Sequence, residues 1–449
     1  MPLRKNSPFT LVFILITILL DMIGLGIILP VLPNLILELT GETVARSAVI
    51  GGYLVFVYAL MQFIFSPILG NLSDRYGRRP ILLLSLLGLT GDYLLMGFAP
   101  TLGWLFLGRV LAGISGAAVS TATAYIADIT PRDKRSQRFG LIGAAFGLGF
   151  IIGPVIGGEL GELSPRAPFY AAALLAGANF LFGFFILPES LTMRKRRRFD
   201  FKRANPFGAI LAFKAFPSVI WLLGALFLFA LAGQTYPAVW NFFTIERFEW
   251  TSSQIGRSLA VFGILFAIAQ AVLIGPAIKN LKESGTVTLG ITMAAIAFFG
   301  MSYIHTPIGL YGFLVVGAFS GLAGPAINGL LSRQVPDNSQ GELQGAVHAT
   351  NSLTAIIGPV AATQLFSFFT SSPDAPRYFP GVSFLAAGLL CVLALGVFIA
   401  AMIKFRLRHA PSVATTPRTP EMARPGEIAT PKHENRSLGN HTKRDTTST

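Results

Sequence analysis

The sequence predicts an all-α membrane protein of twelve transmembrane helices, arranged as two pseudo-repeated six-helix bundles. Three observations predict it. Of the 449 residues, 53% are hydrophobic and only 12% are charged, against about 25% charged in a soluble domain. The apolar residues gather into runs of about 20, enough to cross a hydrocarbon core of about 30 Å. Landmarks also recur at a fixed offset: Gly70 and Gly275 open corresponding loops, and Gly153-Pro154 and Gly358-Pro359 stand in corresponding helices, each 205 residues apart. A fixed offset of this size marks an internal repeat.

The spans are read at 9–30, 49–69, 81–99, 102–126, 137–158, 168–187, 219–241, 255–276, 286–304, 308–331, 345–369 and 381–403. Arg4 and Lys5 precede the first, as in a secretory leader. That run is too long for a leader core, holds Asp21 and lacks an A-x-A-like cleavage site, so it reads as a helix. Residues 1–187 form the N-terminal bundle, 188–217 a cytoplasmic linker with the run Arg194, Lys195, Arg196, Arg197 and Arg198, and 218–403 the C-terminal bundle. The tail 404–449 is rich in Pro, Thr and Arg, has no apolar period and reads as disordered.

Lysine and arginine set the orientation. With the N-terminus inside, 29 of the 35 fall on the cytoplasmic side and five on the other: Arg46, Arg166, Arg247, Arg257 and Arg377. Arg109 lies within a span. Both termini are therefore expected to be cytoplasmic, in a cell inner membrane. The net charge of +14 does not imply nucleic acid, because the basic residues sit between apolar runs and form no basic domain. The single cysteine, Cys391, rules out an intrachain disulfide. No paired catalytic residues and no metal-ligand cluster are evident, so an enzyme, a cofactor or a bound metal is not expected. The short loops offer little surface to an obligate protein partner or to a receptor or scaffold role.

Three groups of residues carry chemistry. The first is the string from Gly70 to Pro80, read as a tight turn between spans 2 and 3. Gly70 and Gly77 permit close approach or positive φ, and Asp74, Arg75, Arg78 and Arg79 form a compact charge cluster at the membrane edge. It is either a topology signal or a latch between the bundles. The second is span 5, where Gly149, Gly153-Pro154, Gly157 and Gly158 allow close packing and a bend. The third is the set of charges inside spans: Asp21, Asp92 and Arg109. Each costs about 2.5–3.5 kcal/mol near the bilayer centre on insertion scales, so they line a pathway or pair, with either acid open to Arg109. Spans 7 to 12 hold no mid-span Asp, Glu, Lys or Arg. There Gln234 and Asn328 are candidate cavity contacts, Gly321, Gly324 and Asn328 share a helical face, and His348, about one turn inside span 11, is a candidate coupling residue.

The string from Gly70 to Pro80 resembles the signature loop of the major facilitator superfamily, and the span 5 glycines resemble its antiporter motif. Tyr58–Phe63, Gly91-Asp92-Tyr93, Ala124–Thr130, Leu187-Pro188-Glu189-Ser190, Phe262–Leu265 and Gln340–Gly345 resemble the tetracycline/proton antiporters, and the likeness covers nearly all of residues 10–400. The resemblance implies a proton-coupled exporter of a small molecule, a tetracycline-type drug carried as a divalent-metal chelate. It makes Asp21, Asp92 and Arg109 the membrane charges and Asp74 and Arg78 part of the gate. The sequence departs from the family at Phe266, where relatives often bear a histidine, and at Ala294, where they carry an aspartate. His348 stands where relatives have a small apolar residue. Another drug, a sugar or a metabolite is the competing cargo.

Overall fold

In bilayer hydrocarbon every backbone amide must be satisfied within its own segment, so apolar runs of this length form helices. The computed structural model describes residues 8–116, 118–131, 135–193, 196–197, 216–336, 339–372 and 377–405. Most of the linker and the tail beyond 405 lie outside the described residues.

Nine helical segments among the described residues are long and apolar enough to cross a membrane. Three breaks bring these to twelve spans. The segment Ser252–Tyr303 has 52 residues, more than twice the ~20 needed to cross. It breaks at Lys282, whose φ of 59° and ψ of 174° are not helical, so it supplies spans 8 and 9. Span 1 is Pro8–Ile28, continued as Leu32–Thr40 after a bend of 44°. Span 4 is Leu102–Ser115 followed by Ala118–Ile129, interrupted at Gly116, where ψ is 0°. Gln62 of span 2 donates to the Gly116 carbonyl that this break exposes (3.4 Å).

The remaining spans are Val44–Tyr76 (span 2), Arg78–Gly97 (span 3), Arg135–Leu163 (span 5), Ala167–Ile186 (span 6), Gln340–Thr370 (span 11) and Val382–Lys404 (span 12). Span 7 is Pro217–Gly233 and Thr235–Phe248 about a break at Gln234. Span 8 has a π-helical turn at Ala269–Leu273, and span 10 a 3₁₀ turn at Phe319–Leu322 between Pro307–Ala318 and Ala323–Ser332. Several helices outrun the predicted spans. Span 2 continues through Asn71–Tyr76, so most of the string read as a turn is helical, and the chain reverses at Gly77 alone. Span 11 begins at Gln340 with Glu342 in its first turn, which places His348 two turns inside the helix. Hydropathy marks where a helix leaves the hydrocarbon, not where its hydrogen bonds stop.

Span 5 holds the two bundles together. On one face, Gly149, Gly153, Gly157 and Gly161 meet span 1: a Cβ at Gly153 would stand 2.7 Å from the Ile23 carbonyl oxygen, and one at Gly157 would run into that of Ile27. On another face, a Cβ at Gly158 would stand 2.6 Å from the Ser252 carbonyl oxygen of span 8, and Gly256 abuts the Pro154 carbonyl. Backbones approach this closely only where side chains are absent. Polar contacts between the bundles collect at the same end. Glu159 accepts from Arg257 (2.7 Å) and Ser253 (2.8 Å), Asn34 donates to Ser252 (2.9 Å), Asn241 donates to the Leu29 carbonyl, and Gln364 to Tyr53 (3.1 Å). This end is opposite the linker.

Gly256→Leu is predicted to prevent closure of this end while each bundle still folds. A cysteine replacing Ser252, which is 3% exposed, should resist a membrane-impermeant maleimide in the parent protein and react at least about tenfold faster when Gly256→Leu is also present; equal protection in both would show that the glycine contact does not hold the end shut.

Candidate functional site

Asp92, in span 3, is fully buried, and Arg109 of span 4 donates from Nη2 to its Oδ2. The same nitrogen touches Met96 Sδ (2.8 Å), and the guanidinium lies 5.9 Å from the Tyr58 ring centroid. Gly108 makes room for the pair: a Cβ there would stand 2.6 Å from Asp92 Oδ1. Asp92 Oδ1 and Arg109 Nε are buried without hydrogen-bond partners among the described residues. Of the two acids open to Arg109, the structure gives it Asp92.

Asp21 is 8% exposed in span 1. Its neighbour is an amide: Asn179 Nδ2 of span 6 approaches Oδ1 at 3.5 Å and the Thr17 carbonyl at 3.2 Å. No cation lies within ion-pair distance of Asp21 among the described residues. Tyr58 and Tyr93 interact electrostatically with Asp21, Asp92 and Arg109, so the three charges belong to one cluster within the first bundle.

The charges at the linker end form a separate network. Gly77 has φ 113° and ψ 160°, a conformation essentially restricted to glycine. A Cβ there would collide with the Glu189 carboxylate. In its absence Glu189 accepts from the backbone nitrogens of Arg78 (2.9 Å) and Arg79 (3.2 Å), capping the positive end of span 3. Arg78 bridges Asp74 (2.6 Å) and Asp128 of span 4 (3.3 Å), Ser190 donates to Asp128 (3.1 Å), and Arg197 of the linker donates its backbone N–H to the Asp74 carbonyl (3.1 Å). Arg75 is exposed beside Tyr76 and Arg79 donates to the Phe184 carbonyl (2.6 Å). In this conformation these partners all belong to the first bundle or the linker. Gly70, in a helix with open space where its Cβ would stand, serves neither a turn nor a close contact here.

The second bundle contains a cavity of about 360 Å³, closed on one side by Phe150 of span 5. Phe266 and Ala294, the two departures from the family pattern, both line it, as do Gly321 and Gly324. Gln234 and Asn328 do not line it. Gln234 sits at the break in span 7 with its Cβ against Gly358, and Asn328 Oδ1 is shielded without a partner among the described residues. His348 is exposed on span 11, on the helix face that carries Pro359.

Sequence reading gave no site role to Glu189, Asp128, Tyr236 or Gln270, although Gln270 is among the polar groups of spans 7 to 12. Glu189 and Asp128 lie in the family-like strings Leu187–Ser190 and Ala124–Thr130, but only the fold shows why. Gln270 stands on the π turn, a break that hydropathy does not reveal.

Arg109→Ala is predicted to destabilise the bundle by about 3–5 kcal/mol, because it strands a buried carboxylate. Asp92→Asn combined with Arg109→Gln should recover most of the loss. Thermal unfolding of the purified variants in detergent measures both, and a double variant no more stable than Arg109→Ala would contradict the pairing.

The comparisons with known proteins agree with this architecture. The Major Facilitator Superfamily profile matches residues 14–359 and 235–440. The chain is 41% identical over 393 residues to the class C tetracycline resistance protein of Escherichia coli, covering 88% of this chain and 97% of that protein. It is 38% identical over 401 residues to the class E protein of Escherichia coli, covering 89% and 95%. A bacterial homologue of the human lysosomal transporter Spinster, crystallised inward-facing and unoccupied, has the same fold, with a TM-score of 0.72, 16% identity, and 90% and 98% coverage. The chain is therefore a transporter, not an enzyme, and belongs to the tetracycline resistance efflux family of the Major Facilitator Superfamily.

Proposed function

We propose that the chain exports a tetracycline-type drug, free or as a divalent-metal chelate, across a cell inner membrane in exchange for protons. The observation that carries the exchange is the unequal treatment of two buried acids. Asp92 is tied to Arg109, whereas Asp21 has an amide beside it and no cation at ion-pair distance among the described residues. Asp21 can exchange a proton without breaking an ion pair, and Asp92 can do so when cargo disturbs Arg109. Competition between proton and cargo for this cluster couples the two fluxes, because each ligand binds the two states of the carrier with different affinity.

The excess of Lys and Arg around the linker supports placing that end, and both termini, in the cytoplasm. The end sealed by spans 5 and 8 then faces outward, and the molecule is open inward. The bundles rock about a midplane site. The Asp74, Arg75, Arg78 and Arg79 cluster, now satisfied within the first bundle, is the gate that the second bundle meets when the cytoplasmic side closes. His348, exposed on span 11, and the amides Gln234 and Asn328, near the span 7 and span 10 breaks, are further candidates for contact with cargo or proton.

Everted vesicles given external tetracycline and Mg²⁺ test the reading. Uptake should require an inside-acid gradient and should fall at least about tenfold in Asp21→Asn, while the variant still inserts. Gradient-driven uptake unchanged in both Asp21→Asn and Asp92→Asn would refute the coupling; absence of tetracycline uptake by the parent would refute the cargo.

A further inference from the structure

The second-bundle cavity has a chemistry of its own. Among the described residues no Asp, Glu, Lys, Arg or His lines it. Its wall is a run of rings. Tyr236 and Phe262 lie 4.5 Å apart between centroids, inclined by 33°, and Phe262 and Phe266 lie 5.7 Å apart at 40°. Gly321 leaves the space that the Phe266 ring fills: a Cβ there would stand 3.0 Å from the ring edge. The volume of about 360 Å³ falls within the range of small-molecule sites.

Two polar features stand against this apolar wall. The Tyr236 hydroxyl is shielded from solvent and has no hydrogen-bond partner among the described residues, though buried polar groups are nearly always paired. Gln270 lines the cavity from the π turn of span 8, and Ser320 from the 3₁₀ turn of span 10. Both turns are departures from α-helix of the kind found at functional sites, and they border the same space.

We infer that this cavity binds an uncharged, planar aromatic portion of the cargo, with the Tyr236 hydroxyl donating a hydrogen bond to a carbonyl on it and Phe262 and Phe266 stacking against its face. The inference rests on the reading of the chain as a drug exporter and narrows the cargo. A site with no ionised side chain receives the neutral ring face, and any charge or chelated metal on the molecule stays outside this wall. Recognition here needs no divalent metal.

Trp240 reports on the site, since its ring centroid is 4.6 Å from that of Tyr236. The probe is 1,8-dihydroxyanthraquinone, a planar tricycle with carbonyl acceptors, added to the purified full chain in lipid nanodiscs with EDTA present. Saturable quenching of tryptophan emission is expected, weakened about tenfold by Tyr236→Phe and by Gln270→Ala to a lesser degree, and unchanged on adding Mg²⁺. Quenching that needs Mg²⁺, or that is equal in parent, Tyr236→Phe and Phe266→Ala, overturns the inference. Tyr236→Phe is conservative enough to fold, and its melting temperature checks that it has. Export of tetracycline by a chain whose quenching ignores Tyr236 would sink this site and leave the export reading standing; saturable, Tyr236-dependent quenching without export would do the reverse.

Discussion

A charge inside hydrocarbon must find its partner within the protein. In this chain the charged residues midway along the spans are Asp21, Asp92 and Arg109, all in the first bundle, where Arg109 and Asp92 share a buried hydrogen bond between spans 4 and 3. The pair fixes the two helices against each other, and Gly108 supplies the room. Asp21 is left beside Asn179, with no cation at ion-pair distance among the described residues. In the proposed exchange, the paired acid holds the helices together and the other carries the proton. The second bundle surrounds its cavity with rings and helix breaks instead, and no Asp, Glu, Lys or Arg lines it among the described residues. The proposed proton chemistry and the proposed recognition of an apolar ring face thus fall in different bundles.

The glycines of span 5 determine how these sides move. Gly149, Gly153 and Gly157 bring it against span 1 of its own bundle, and Gly158 brings it against span 8 of the other. One face is a contact within the first bundle and the other a contact between bundles, which under the proposed alternating access has to open. Pro154 contributes to both, through its ring against Gly26 and its carbonyl against Gly256. The ion pair of Glu159 with Arg257 is exposed on both sides and therefore adds little to closure; the backbone fit dominates it.

Much of this was legible in the sequence because lipid makes the pattern simple. Span lengths, the charge bias and the span 5 glycine spacing follow from the bilayer alone. The partner of Arg109 was not legible, since two acids stood at suitable depths and only packing separates them. The Gly70–Pro80 string was recognisable as a unit, yet its polar residues hid the fact that Asn71–Tyr76 are helical. Unbroken α-helical periodicity puts Gln234 and Asn328 on cavity walls. Span 7 breaks at Gln234, and span 10 passes through a 3₁₀ turn before Asn328. Such breaks shift the helical phase, and neither residue lines the second-bundle cavity. Tyr236 and Gln270, which do face the cavity, occupy positions flanking such breaks.

The central claim is that proton exchange resides in the first bundle, apart from the apolar site of the second. Proton release on tetracycline binding, read with a pH indicator in weakly buffered solutions of purified protein, tests it most directly. The parent should release protons on binding, Asp21→Asn should bind drug with release reduced or absent, and Tyr236→Phe at saturating drug should release as many as the parent. Release undiminished in Asp21→Asn, or abolished in Tyr236→Phe at saturation, would contradict the account.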